Sequence, residues 1–146
     1  MVNNVIYTVT SAGCNETPDA VWAIDVTGDV PKVTSYVLSG GELSGPGGPV
    51  IGSDGTVYGR TSGKLLALNA GDLRPKGYYT SAGEPSPLVF QYKNRELIVS
   101  AEKDGRISLL DSTSFGGNHE TPLHRTAAGS GIYGGLATWQ DAAGAR

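Results

Sequence analysis

Ser53-Asp54-Gly55-Thr56-Val57-Tyr58-Gly59-Arg60-Thr61-Ser62-Gly63-Lys64-Leu65-Leu66-Ala67-Leu68-Asn69 holds two short apolar runs, each entered through a glycine turn. Val57-Tyr58 and Leu65-Leu66-Ala67-Leu68 have the length of strands rather than of helices. Asp54-Gly55 and Ser62-Gly63 read as hairpin turns, because glycine accepts a positive φ without Cβ strain. The stretch therefore predicts turn, strand, turn, strand, closed by a polar Asn69.

The same grammar recurs on both sides. Val5-Ile6-Tyr7 is followed by Val21-Trp22-Ala23-Ile24-Asp25, and Leu97-Ile98-Val99 by Ile107-Ser108-Leu109-Leu110-Asp111, with a second Asp-Gly turn at Asp104-Gly105. The closing residues Asp25, Asn69 and Asp111 lie 44 and 42 positions apart. Tyr7 to Tyr58 is 51 positions and Tyr58 to Val99 is 41, the excess being a longer loop at 13–19. Pro49-Val50-Ile51-Gly52 precedes the second pair, Pro87-Leu88-Val89-Phe90 precedes the third, and Leu136-Ala137-Thr138-Trp139 opens a fourth unit. Further strands are expected after each closing residue, at 33–38, 77–81 and 121–125.

Four antiparallel strands every ~40–45 residues is the period of a β-propeller blade, and blades bury their faces only against one another. A two-sheet sandwich is the competing all-β arrangement. The repeat predicts an incomplete blade 1 over 1–43, blade 2 over 44–84, blade 3 over 85–128 and the start of blade 4 over 129–146. At roughly 43 residues per blade the 146 residues make about 3.4 blades, fewer than the usual four of a closed ring. The expectation is an internal segment of a longer propeller, about three four-stranded blades with the ring incomplete.

Composition agrees. Gly 22 and Pro 8 fill about a fifth of the chain, against roughly 12% in average usage, which disfavours long helices. Hydrophobic residues at 38% and a net charge of -3 suit a packed core and not a disordered chain. Lys+Arg 11 against Asp+Glu 14 leaves no basic excess for phosphates, so no nucleic-acid partner is expected. No apolar run reaches the ~18 residues of a membrane span. The single cysteine, Cys14, excludes a disulfide within the chain. Ser11-Ala12-Gly13-Cys14 imitates a lipoprotein processing site but lacks a basic region and an apolar run ahead of it. Cys14 reads as a small loop residue, and Asn15-Glu16-Thr17 is a chance-level glycosylation triplet.

The repeated units, with Ala23-Ile24-Asp25 and Ala67-Leu68-Asn69, resemble the pyrroloquinoline-quinone-type repeat of bacterial propellers over nearly the whole chain. That family includes quinoprotein alcohol dehydrogenases and a non-enzymatic outer-membrane assembly lipoprotein. The family's docking motif continues from Ala-x-Asp through Thr-Gly to a tryptophan. Here Ala23, Asp25, Thr27 and Gly28 keep its front half, whereas Val30, Val33 and Tyr36 stand where the tryptophan is sought. The second unit runs on to Gly77-Tyr78-Tyr79, and the third to Ser114-Phe115-Gly116. One cysteine cannot supply the adjacent-cysteine disulfide common in the dehydrogenases. The resemblance implies a binding or scaffold module of an exported, periplasmic protein, with the remaining blades of a parent chain as partners. Its alternative is a segment of a quinone-dependent oxidoreductase, with pyrroloquinoline quinone and calcium held mostly by blades outside this segment. A sugar- or polymer-binding propeller is a third option.

Chemistry-bearing residues are few. Gly129-x-Gly131-x-x-Gly134 imitates a dinucleotide fingerprint but precedes a strand candidate at 136–140 where a helix is required. It reads instead as an inter-blade connection, like Gly45-Pro46-Gly47-Gly48-Pro49 and Gly83-Glu84-Pro85-Ser86-Pro87. These loops share the channel-mouth face where propellers bind ligands, which makes Pro46, Gly47, Gly48, Pro85, Ser86, Gly131 and Tyr133 the candidate binding residues for an unidentified protein or small molecule. No catalytic residue and no metal site is expected. His119 and His124 lack the convergent third and fourth ligands a metal needs. Asp25, Asn69 and Asp111 recur once per unit, which points to hydrogen bonds that shape turns. Trp22 and Trp139 are expected to pack between strands.

Overall fold

A computed structural model describes residues 1–11, 17–38, 48–83, 85–115, 121–130, 134–141 and 144–145. Cys14, Asn15 and His119 lie outside them. The described chain is all-β, built from three antiparallel sheets and a small hairpin. The first sheet holds β1 (Val5–Thr10), β2 (Ala20–Asp25) and β3 (Lys32–Val37). The second holds β4 (Val50–Ile51), β5 (Val57–Arg60), β6 (Lys64–Leu68) and β7 (Pro75–Thr80). The third holds β8 (Leu88–Tyr92), β9 (Arg95–Ala101), β10 (Ile107–Asp111) and β11 (His124–Arg125). Within each sheet every strand pairs with its neighbour in sequence. The hairpin is β12 (Gln140–Asp141) with β13 (Gly144–Ala145), and the single helical turn among the described residues is Ser112–Ser114.

The turn chemistry explains the pairing. Gly55 and Gly105 adopt φ of 83° and 81°, the left-handed region that a Cβ disfavours. Each donates its N–H to the residue three positions earlier, Gly52 and Glu102. Asp54 and Asp104 fasten the same turns by accepting the N–H of Thr56 at 2.9 Å and of Arg106 at 3.2 Å. Both Asp-Gly sequences are thus turns of one geometry. The closing residues work similarly at two sites: Asp25 accepts from Thr27 N–H at 2.9 Å, and Asp111 from Thr113 N–H at 3.0 Å.

Strand alternation then sorts side chains onto faces. In the middle sheet, Val57 and Leu68 lie opposite one another and pack with Leu73 against Val21 and Ala23 of the first sheet. Tyr58, Leu65, Ala67 and Tyr79 take the other face and pack against Ile98, Leu110 and Phe115 of the third. Tyr58 meets Phe115 edge to face, with ring centroids 5.6 Å apart. The middle sheet is therefore covered on both faces, and β5 is buried along its whole length.

The first sheet, where an incomplete unit is expected, has three strands among the described residues. Expectations elsewhere are corrected. Residues 136–139, expected to open a fourth unit as a strand, stand outside every sheet, and Trp139 is 64% exposed instead of packed. An apolar stretch becomes a strand only as part of a sheet, so composition alone does not decide it. Trp22 is half-buried on the face of the first sheet turned away from the core, not packed in the core or between sheets as expected, and its indole N–H donates to Thr10 Oγ1 at 2.9 Å.

Candidate functional site

The register places one end of the sheets at Thr80, Lys64 and Thr61 in the middle sheet, and at Ala101 and Ile107 in the third. The connections 38–49 and 81–87 leave from this same end. Here lies an open cavity of about 460 Å³ lined by Thr80, Ser81, Ala82, Glu102, Lys103, Asp104 and Arg125. Lys103 N–H donates to the Ala82 carbonyl at 2.8 Å and ties the 81–87 connection to the β9–β10 turn.

Beneath the cavity runs a buried polar network. Glu102 is 5% exposed. Its carboxylate accepts from Arg125 Nε at 3.0 Å and Nη2, and from Ser108 Oγ at 2.6 Å. The Tyr79 hydroxyl continues the chain to Ser108 Oγ at 3.1 Å. Arg60, 1% exposed, donates through Nη1 to Ser100 Oγ at 2.5 Å and through Nη2 to Ser81 Oγ at 2.9 Å. Burial pushes the Arg60 guanidinium below its ordinary value, and the nearby Glu102 carboxylate and Tyr79 oppose that shift. A buried charge without such donors and acceptors is expensive, so these side chains hold one another in place. Gly83 lies directly against this network, since a Cβ there would fall on the Arg60 guanidinium and the Ala101 carbonyl.

The opposite end is tied differently. Ser53 N–H donates to Glu96 Oε2 at 2.5 Å, and Gln91 Nε2 reaches the same oxygen at 3.1 Å. Nearby, burial pushes the Asp54 carboxyl up, but bonds from Lys76 Nζ at 2.8 Å and from the Thr56 N–H and hydroxyl outweigh it and hold the group at about 2. Asp111 is held below the usual carboxylate range by its Thr113 hydrogen bond and by Arg95. These groups complete turns and sheet contacts with one another.

Of the candidate binding residues, Gly48, Pro85 and Ser86 are described, whereas Pro46, Gly47, Gly131 and Tyr133 lie outside the described residues. The Ser86 hydroxyl donates to the Gly48 carbonyl at 3.2 Å, which brings the two inter-sheet connections together. Pro85 is buried and Ser86 half-buried, and neither lines the cavity. His124 is exposed on β11 and paired by backbone with Leu109. No group of three or more potential metal ligands occurs among the described residues.

Sequence reading missed Arg60, Glu102 and Arg125. The signal was parity: Arg60 stands two residues from the core-facing Tyr58, and Ser100 and Glu102 follow Ile98 at the same spacing. Polar residues on a core-facing period mark an internal network rather than a solvated face. No protein-family model matches the chain, and no curated protein matches it.

Proposed function

We propose that this chain is a segment of a quinoprotein-like β-propeller that serves as a binding or scaffold module of an exported protein. Partners are taken at the end where the inter-sheet connections gather. The observation that carries this reading is the face-to-face stacking of three successive meander sheets, with the middle one covered on both sides. The cavity at the connection end adds to it. Its charged groups are largely paired within the protein: Glu102 with Arg125, and Asp104 with Arg106 at 2.5 Å. A lining of that kind suits a polar, hydrogen-bonding segment of a partner better than an isolated ion.

The test is a selection of displayed peptides on the folded chain. Binders are expected to be lost on Ala82→Arg, which fills the cavity mouth, and retained on Asn94→Arg in the β8–β9 turn at the opposite end. Peptides indifferent to Ala82→Arg would overturn the placement. A visible-absorbance change on titration with pyrroloquinoline quinone and calcium would replace the scaffold reading with the quinone-dependent one.

A further inference from the structure

The acceptors that line the cavity at the connection end are already engaged. Glu102 accepts from Arg125 Nε, Arg125 Nη2 and Ser108 Oγ, most of the roughly four bonds a carboxylate can take. Asp104 accepts from Arg106 N–H at 3.2 Å and from Arg106 Nη1 at 2.5 Å. Lining carbonyls are taken as well: Ala82 by Lys103 N–H, Glu102 by Gly105 N–H and Asp104 by Gly129 N–H.

Its donors are not. Ser81 lines the cavity and is 4% exposed. Its Oγ accepts from Arg60 Nη2 at 2.9 Å, and its carbonyl accepts from the same nitrogen at 3.4 Å. A hydroxyl that accepts from a guanidinium turns its own proton elsewhere, and no described acceptor takes that proton. The charge it accepts also polarises the O–H and strengthens it as a donor. Arg125 bonds Glu102 through Nε and Nη2, which leaves Nη1 without an acceptor among the described residues. The ammonium of Lys103, an exposed residue, has none there either. The opposite end differs: Lys76 meets Asp54, Arg95 meets Asp111, and Ser53 N–H and Gln91 Nε2 both reach Glu96.

We propose that this cavity takes a carboxylate, the side chain of an aspartate or glutamate in the partner's segment. The inference rests on the reading of the cavity as a partner site and narrows it to one chemistry. Ser81 O–H, Lys103 Nζ and Arg125 Nη1 are the groups that donate to the incoming oxygens. A cationic side chain would instead meet Lys103 and Arg125 beside carboxylates that are already paired. Arg60 contributes as a positioning residue, since it fixes the Ser81 oxygen and so the direction in which that hydroxyl donates. The volume of about 460 Å³ leaves room for the residue that carries the carboxylate.

The test titrates the 146-residue chain with two acetylated, amidated glycine peptides, one carrying a single glutamate and the other a single glutamine, and reads backbone amide resonances. The glutamate peptide is expected to move the Ser81, Ala82 and Lys103 resonances at about tenfold lower concentration, the gain from a charged acceptor. Lys103→Gln, at an exposed position, is expected to weaken the glutamate peptide about threefold and leave the glutamine peptide unchanged. Ser81→Ala is expected to weaken it further; if that variant loses its fold, the Lys103→Gln comparison decides alone. Equal affinity of the two peptides overturns the proposal and leaves partner binding at this end in place. Shifts confined to the β8–β9 turn overturn both the proposal and the placement it rests on. Resonances that neither peptide moves overturn the carboxylate site, as does tighter binding of acetate or inorganic phosphate, which would make the ligand a small free anion.

Discussion

Across one face the middle sheet offers Val57, Leu68 and Leu73 to Val21 and Ala23; across the other it offers Tyr58, Arg60 and Leu65 to Ile98, Ser100 and Leu110. Among the described residues the first contact is almost wholly apolar, with a polar tie from Gly71 N–H to the Tyr7 hydroxyl at 3.1 Å. Apolar packing is non-directional and tolerates small shifts of one sheet over another. The second contact adds the Arg60–Ser100 and Glu96–Ser53 bonds at its two ends. Directional bonds at both ends leave only one relative position in which every partner is met. The pair formed by the second and third sheets is therefore the rigid part of the molecule, and it carries the cavity.

The sharpest way to break this comparison is at Arg60. Arg60→Ala leaves the buried Ser81 and Ser100 hydroxyls without their guanidinium and opens a large cavity, and the expected loss is about 4 kcal/mol in denaturant unfolding. Arg60→Met, which restores the volume and not the bonds, is expected to recover part of it. Full recovery would mean that the network adds nothing to packing. The apolar contact is next. Leu68→Ala is expected to cost about 3 kcal/mol by loss of buried surface and the cavity left behind. If the first sheet is the looser neighbour, hydrogen exchange in that variant should rise in β1–β3 before it rises in β8–β11. Equal rates in both would erase the distinction.

The smallest effect is an acid one. The Asp54 carboxyl sits near 2 in the folded chain, below the ~3.9 of an unfolded aspartate. A depressed value means that its contribution is fully present above pH ~4 and is lost as pH falls through about 2. The side chain is 53% exposed, so solvent screening keeps the term to about 1 kcal/mol or less. Comparing Asp54→Asn with the parent chain by urea unfolding at neutral pH and at pH 2 isolates it: the difference should vanish in acid. A difference that persists there would assign the effect to the turn geometry and not to the charge.

Strands with a strict apolar run were legible. Val21-Trp22-Ala23-Ile24, Leu65-Leu66-Ala67-Leu68 and Ile107-Ser108-Leu109-Leu110 announce β2, β6 and β10, because each is held between two other strands. The Asp-Gly turns were legible for the same local reason. What lay beyond reading was which sheet face would meet which neighbour. Arg60 in isolation is a cation at the end of a strand, and only the arrival of Ser81 and Ser100 from other parts of the chain makes it an internal group. Residues 136–139 show the converse. Their composition suits a strand, but strand formation depends on a partner edge that the segment itself does not contain.

The meander order has a consequence for how the chain reaches this state. Since each strand pairs with its sequence neighbour, the ladders close over short loops and cost little chain entropy. Each sheet can therefore begin to form independently of the others. The slow step is left to the meeting of finished faces, and the middle sheet must be ready before either neighbour can dock. A pulling force applied through Met1 would run the sequence backward, peeling off the three-stranded sheet as one unit while the bolted pair behind it still holds.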